Sequence, residues 1–219
     1  MGRHRPLITR DLMNVPPLPI AVFLSGGGRT LANLIEHRDR HALPIEIRLV
    51  TSSRPGVRGL EIAKADGIET SIVQKSTVAS DIEYRDAMFA PVRRCGARYV
   101  VMAGFLKHVL IPEDFENRVI NIHPSLLPSF GGEGMYGRRV HEAVLRRGVT
   151  ISGCTVHFVD DHYDNGPILL QRSCPVFPND DAESVAARVF EQECLALPDA
   201  IRLLAERESE SSDTDDGES

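Results

Sequence analysis

No tryptophan occurs among the 219 residues, and aromatic residues make up only 5% of the chain. A chain this long buries a sizeable core, so that core must be mainly aliphatic. A basic stripe interleaved with aromatic rings is also missing, and no nucleic-acid partner is expected. No run approaches the ~20 apolar residues of a membrane span, so no membrane partner is expected either. The four cysteines (Cys95, Cys154, Cys174, Cys194) lie far apart with no C-x-x-C pair, which suits a reducing, cytoplasmic setting. The eight histidines show neither H-x-x-x-H nor H-E-x-x-H spacing, and no metal is expected. The segment 1–18 carries arginine and histidine but no apolar stretch of the secretory kind, and reads as an N-terminal extension.

A charged body is missing too, despite the formal net charge of −6. Seven acids and one arginine from Glu206 onward account for all of it, leaving the rest balanced. The segment 207–219 has no apolar residue and reads as a disordered acidic tail. Between the two ends, 19–206 is expected to form one domain, with 42% apolar and 26% charged residues over the whole chain.

What is present is an alternation. Apolar strand-like runs at 20–24, 45–52, 68–73, 97–104 and 117–123 are separated by helical patterns at 29–39, 57–67 and 80–96. Ser80 or Asp81 is the expected cap of the third helix, and Pro91 is expected to bend or break it. Gly67 is the expected stop of the second. Such alternation predicts an α/β fold with a Rossmann-like, mostly parallel twisted sheet flanked by helices. Beyond it, a helix at 137–148 precedes two long strands, 150–160 and 167–177, expected as an antiparallel C-terminal strand pair. A long helix at 180–206, bent near Pro198, completes the pattern.

Ligands of open α/β sheets bind beyond the carboxyl ends of the strands. Two motifs fall there. The first, "SGGGRTL" (25–31), is not a dinucleotide fingerprint. Leu31 takes the third glycine's place, and the next strand ends in Thr51, Ser52 and Ser53 rather than an acid. It is not a P-loop either, since no G-K-[ST] follows. What remains is a helix N-terminus with Gly28, Arg29 and Thr30, suited to one phosphate, or else a tight turn with no ligand.

The second motif is "NIHPSLLPS" (121–129). Two residues apart on an extended segment, Asn121 and His123 point to the same side. An amide and a protonated imidazole aimed at one oxygen stabilise negative charge developing on it, and Pro124 stiffens the chain beyond. A carboxylate partner for the histidine is offered by "DHYDNGP", in which Asp164 is better placed than Asp160 or Asp161. Ordinary hydrogen-bonded turns would contain the same residue types.

"NIHPSLLPS", together with "MAGFLK" before it and "SGCTVHFVDDHYDNGPILLQ" after it, resembles the glycinamide ribonucleotide formyltransferase family of the folate-dependent formyltransferase superfamily, over about 20–204. The resemblance implies transfer of a formyl group from the co-substrate 10-formyltetrahydrofolate to the amine of glycinamide ribonucleotide, a step of purine synthesis, without a metal. It implies that Asn121 and His123 hold the oxyanion, that His123 donates a proton, and that Asp164 keeps His123 cationic and assists through water. It places the phosphate on Gly28, Arg29 and Thr30, and the rest of the amine substrate on Glu193. It places the folate on Leu106, Lys107, His108, Val109 and Asn121. The chain departs from the family at Arg29 and Thr30, where Ser-Asn is frequent, and at Asp81, where an arginine approaches the folate; Lys75 or Arg85 are the replacements nearby. "FGGEGMYG" (130–137) resembles a bacterial version of a mobile loop. Both substrates are small molecules, and a monomer or homodimer is expected. A formyltetrahydrofolate hydrolase and an amino-sugar formyltransferase of the same superfamily are the alternatives.

Overall fold

A computed structural model describes residues 15–215. Seven strands form one sheet in the order β3-β2-β1-β4-β5-β6-β7. In chain order they are β1 (Leu18–Leu24), β2 (Ile45–Ser52), β3 (Glu69–Ile72), β4 (Tyr99–Met102), β5 (Val119–His123), β6 (Ile151–Phe158) and β7 (Ile168–Pro175). The helices are α1 (Arg29–Arg40), α2 (Arg58–Ala65), α3 (Asp81–Cys95), α4 (Arg138–Arg147) and α5 (Ala182–Asp215). β1 to β5 run parallel, β6 is antiparallel to β5, and β7 is antiparallel to β6. The expected α/β architecture with its antiparallel C-terminal pair is the one found.

Period-two alternation divides β1 between two cores. Ile20, Val22 and Leu24 face a mainly aliphatic layer with α1, α2 and α5. Ala21 and Phe23 face the layer under α3. The scarce aromatics gather in that second layer. Phe23 meets Phe89 edge-on at 5.6 Å, and Phe89 lies 5.0 Å from Phe115. An aliphatic core is therefore the rule on one face only.

Ser80 caps α3 by accepting from the Glu83 N–H at 3.1 Å, while Glu83 accepts from the Ala79 N–H at 2.9 Å. This reciprocal arrangement satisfies donors at the helix start. Pro91 does not break α3, which runs through it to Cys95. Pro198 likewise lies inside a continuous α5. A proline there removes the N–H that would bond the carbonyl four residues back. For Pro198 that carbonyl is Cys194's, and the Asn33 amide of α1 takes the place, donating to it at 3.0 Å.

The tail boundary expected at 207 moves. α5 continues to Asp215, because part of the acidic segment finds partners at the start of β4. Glu208 accepts from the Tyr99 hydroxyl at 2.8 Å and pairs with Arg98. Residues 216–219, and 1–14 of the expected N-terminal extension, lie outside the described residues.

Candidate active site

The strand order reverses between β1 and β4, where the connections from β1 and β4 leave in opposite directions. That point opens a crevice at the carboxyl edge. A cleft of about 680 Å³ lies there. Every residue expected at the site lines it: Gly28, Arg29, Thr30, Leu106, Lys107, His108, Val109, Asn121, His123, Asp164 and Glu193. They come from five places along the chain; the first three meet because parallel strands present all their carboxyl ends on one side, and the β6–β7 turn and α5 close over them.

On the β1 side the wall is main chain. Gly28 is the N-cap of α1, with φ of 71° and ψ of 21°. A Cβ there would lie 2.6 Å from the Gly59 Cα of α2, so both the left-handed turn and the close approach demand glycine. The Gly59 N–H bonds the Gly26 carbonyl at 3.1 Å and locks the turn against α2. No side chain caps α1, and its first turn holds no acid.

On the β5 side the wall is side chain. His123 is buried, with 3% exposure. Its Nδ1 lies 3.3 Å from Asp164 Oδ2 and its Nε2 2.9 Å from the Phe130 carbonyl. Both partners can only accept, so the doubly protonated ring has an acceptor for each hydrogen. Asp164 Oδ2 also accepts from the Gly132 N–H at 3.0 Å. Burial pushes the Asp164 carboxyl up, but the hydrogen bond and charge of His123 and the Gly132 N–H outweigh it and leave it well below the usual carboxylate range. Asp164 sits at φ 52°, uncommon for a non-glycine residue. Gly131 passes beneath, where an added Cβ would come within 3.2 Å of Asp164 Cβ.

The three carboxylates of the 160–164 turn divide the work. Asp160 braces the turn by accepting from the His162 N–H at 2.8 Å and from the Asn165 amide at 3.0 Å. Asp161 ties it to the loop after β4, accepting from the Ile111 N–H at 3.0 Å, while its carbonyl lies 3.0 Å from His108 Nε2. Of the three, Asp164 is the one that faces His123 and His157.

One residue escaped the sequence reading. His157 on β6 pairs in register with Asn121, and its Nε2 lies 3.2 Å from Asn121 Nδ2. Its Nδ1 lies 2.8 Å from the Phe158 carbonyl, which can only accept. The Nδ1 therefore carries the hydrogen, and Nε2 accepts one amide hydrogen of Asn121. That fixes which way the amide faces. His157 Nε2 is also 3.7 Å from Asp164 Oδ1. The available signal was the antiparallel β5–β6 pairing, which puts position 157 opposite 121, but its register is not written in the spacing of either motif.

The loop after β4 is anchored to β1 through the Leu106 N–H, which donates to Ser25 Oγ at 2.9 Å. Leu106 and Tyr163 are exposed at the cleft mouth, and His108 packs on Tyr163 with centroids 5.0 Å apart. Lys75 pairs with Asp81 at 2.8 Å and Arg85 with Asp86 at 2.8 Å, so both cations near Asp81 are already engaged. Glu193, in the wall near Arg29, is pushed up to about 7 by burial, against the pull of Arg29 and His123. Among the described residues, no group of three or more histidine, cysteine, aspartate or glutamate side chains is arranged to hold a metal.

The formyl transferase profile matches residues 18–201, which include both walls. The chain belongs to the formyl transferase family. It is 38% identical over 191 residues to the chloroplastic phosphoribosylglycinamide formyltransferase of Vigna unguiculata, covering 85% of this chain and 61% of that protein. The Arabidopsis thaliana counterpart is also 38% identical, over 192 residues, covering 85% of this chain and 65% of its own length. The chain thus spans less than two thirds of these plant relatives. Among solved structures, glycinamide ribonucleotide transformylase 1 of Symbiobacterium toebii superposes with a TM-score of 0.81 at 34% identity, covering 87% of this chain and 88% of that one. Phosphoribosylglycinamide formyltransferase of Anaplasma phagocytophilum gives 0.74 at 35% identity, with 87% and 88% covered. Among the described residues of this family member, no helix is long and apolar enough to cross a membrane.

Proposed function

We propose that the chain transfers a formyl group from 10-formyltetrahydrofolate to the amine of glycinamide ribonucleotide. The observation that carries this reading is the connected set of Asn121, His123, Asp164 and His157 at the tip of β5, in one cleft with the glycine turn. The named relatives act on the same chemistry by their names.

In the proposed reaction the amine nitrogen attacks the formyl carbon, and the carbonyl π pair moves onto oxygen. The oxyanion takes the second amide hydrogen of Asn121, the one His157 does not hold, and the Nε2–H of His123. The amine loses a proton through water to Asp164. The carbon–N10 bond then breaks, and N10 leaves with a proton from His123. The resting contacts set a condition on this sequence. Nε2 of His123 points at the Phe130 carbonyl, so it must release that carbonyl before serving the substrate. Phe130 opens the glycine-rich loop 130–137, in which Gly132, Gly134 and Gly137 have positive φ. Movement of this loop on substrate binding would free the proton. Glu193 and the start of α1 would hold the ribonucleotide, and the 106–109 segment the pterin. The site uses no metal, both substrates are small molecules, and the setting is cytoplasmic.

The deciding experiment follows formyl-folate deformylation spectroscopically with and without glycinamide ribonucleotide. Turnover only with the amine is expected. Equal turnover without it would make the protein a hydrolase, and turnover only with a nucleotide-linked amino sugar would make it a sugar formyltransferase. Either result overturns the proposal.

A further inference from the structure

Asp164 sits at a left-handed φ of 52°, and a non-glycine residue keeps such a backbone only where its surroundings over-determine it. The turn that carries it is exposed at Asp161, His162 and Tyr163. Within the turn, Asp160 braces the main chain by accepting from the His162 N–H and the Asn165 amide. From outside, the loop after β4 grips the turn at three points. The Ile111 N–H donates to Asp161 Oδ1 at 3.0 Å. His108 Nε2 meets the Asp161 carbonyl at 3.0 Å, and the His108 ring packs on Tyr163 with centroids 5.0 Å apart. Two of these three contacts belong to one side chain.

That side chain stands on fixed ground. The His108 carbonyl accepts from Lys75 Nζ at 3.4 Å, and Lys75 is held by Asp81. Two residues earlier, the Leu106 N–H is bonded to Ser25 Oγ, which shares a 2.7 Å hydrogen bond with Ser53 Oγ just past β2. The Asp161 carbonyl can only accept, so Nε2 of His108 carries the hydrogen of their bond. The Nε2–H tautomer and the cation both donate there, and the contact survives titration of the ring. A continuous line of contacts therefore runs from the carboxyl ends of β1 and β2, through His108, to the turn that presents Asp164 to His123 and the Gly132 N–H.

We propose that His108 is a positioning residue for Asp164: its side chain clamps the 160–164 turn so that the carboxylate stays on His123. The inference rests on the transfer reading above for what Asp164 does, and adds what keeps it in place. Asp164 holds one side of an imidazole whose other side serves the substrate, and a small displacement of an acid–base group costs rate steeply. His108 lines the same cleft, in the 106–109 segment assigned to the pterin. The main chain of that segment is left to the folate while the His108 side chain reaches across to Asp161. One residue then joins the folate end of the cleft to its proton-transfer end.

The test uses H108L, which keeps bulk and loses the donor, and H108Q, whose amide can still donate to the Asp161 carbonyl. His108 is only half-buried, so both variants are expected to fold. The Gly132 amide proton reports the position of Asp164 in the free protein, because its bond to Oδ2 moves its NMR resonance downfield. H108L is expected to shift that resonance toward its position in D164A, and H108Q to return it toward wild type. At saturating substrates H108L should lower kcat about tenfold, below the roughly 10²-fold that a ~1 Å misplacement can cost. H108Q should recover most of that loss. In a D164N background H108L should cost nothing further, since the clamp has no carboxylate left to position. An unmoved Gly132 resonance, wild-type kcat in H108L, or the same fractional loss in D164N overturns the proposal. The NMR arm needs no turnover. The expected shifts in a protein that transfers no formyl group therefore sink the transfer reading alone. Active transfer with an unmoved Gly132 resonance sinks this one alone.

Discussion

The two walls of the cleft are built differently. On the β1 side, the turn between β1 and α1 offers main-chain N–H groups, and its shape depends on glycines packed against α2. On the β5 side, Asn121, His123, His157 and Asp164 hold one another by side-chain contacts, across a junction where the sheet changes from parallel to antiparallel. A main-chain wall tolerates replacement of side chains as long as the path of the chain survives. A side-chain network does not, because each member is another's partner and removing one leaves buried polar groups unpaired.

The contrast breaks most sharply at Asn121 and Asp164. Asn121→Ala removes a proposed oxyanion donor and should lower kcat about 10²–10³-fold. Asp164→Asn keeps the shape but removes the acid–base group, and should cost roughly 10²–10⁴-fold. Steady-state kinetics beside thermal melts check both. Retention of wild-type turnover in either variant would deny the network its role.

Gly28→Ala probes the other wall at its closest main-chain contact. The methyl would meet the Gly59 backbone, and the residue would be held at a φ that alanine disfavours. The expected cost is about 1–3 kcal/mol of stability, with KM for the amine substrate raised more than kcat is lowered. A melt matching wild type would mean that the turn re-forms around a side chain.

His157→Phe sharpens the network side. It deletes the acceptor that orients the Asn121 amide but touches no reacting atom. The expected loss is about tenfold in kcat, on the scale of 1.4 kcal/mol, with KM for folate little changed. His157→Gln, which can still accept from Asn121, should recover part of it. A purely structural role would instead show as equal loss of stability in both variants and no recovery of kcat.

The fold was legible because hydrophobic runs and glycine stops carry the βα alternation locally. The helix caps at Ser80 and Gly67 could be read the same way. The clustering of Asn121, His123 and Asp164 was legible as a motif, and Asp164 stood out among three acids through its place before Gly166. The division of labour among Asp160, Asp161 and Asp164 was not, since it depends on which loops the turn touches. His157 stayed hidden because register between strands thirty residues apart is set by packing. Pro91 and the segment after 207 misled for a related reason. Local propensity argues for a break or for disorder, and tertiary partners such as Tyr99 and Arg98 override it.

Glu193 joins the two walls and yields the smallest effect. It lies one turn from Phe190, close to Arg29, and it feels His123. Its carboxyl titrates near 7 in the fold, against an ordinary value of 4.5, because burial disfavours the charge. The folded state therefore holds its proton more tightly than the unfolded chain. Below pH 4.5 both states are protonated and there is no penalty. As pH rises from 4.5 through 7, the unfolded chain ionises first and stability is lost, with the full penalty felt above 7. Contact with the cleft solvent keeps that penalty on the order of 1 kcal/mol. Glu193→Gln should accordingly unfold at higher denaturant than wild type at pH 8 and at the same concentration at pH 4, while KM for the amine substrate rises. A gap independent of pH would assign the stabilisation to packing. A gap that widens with pH would mean that the free protein carries a strained acid, whose cost is offset when a ribose hydroxyl reaches it.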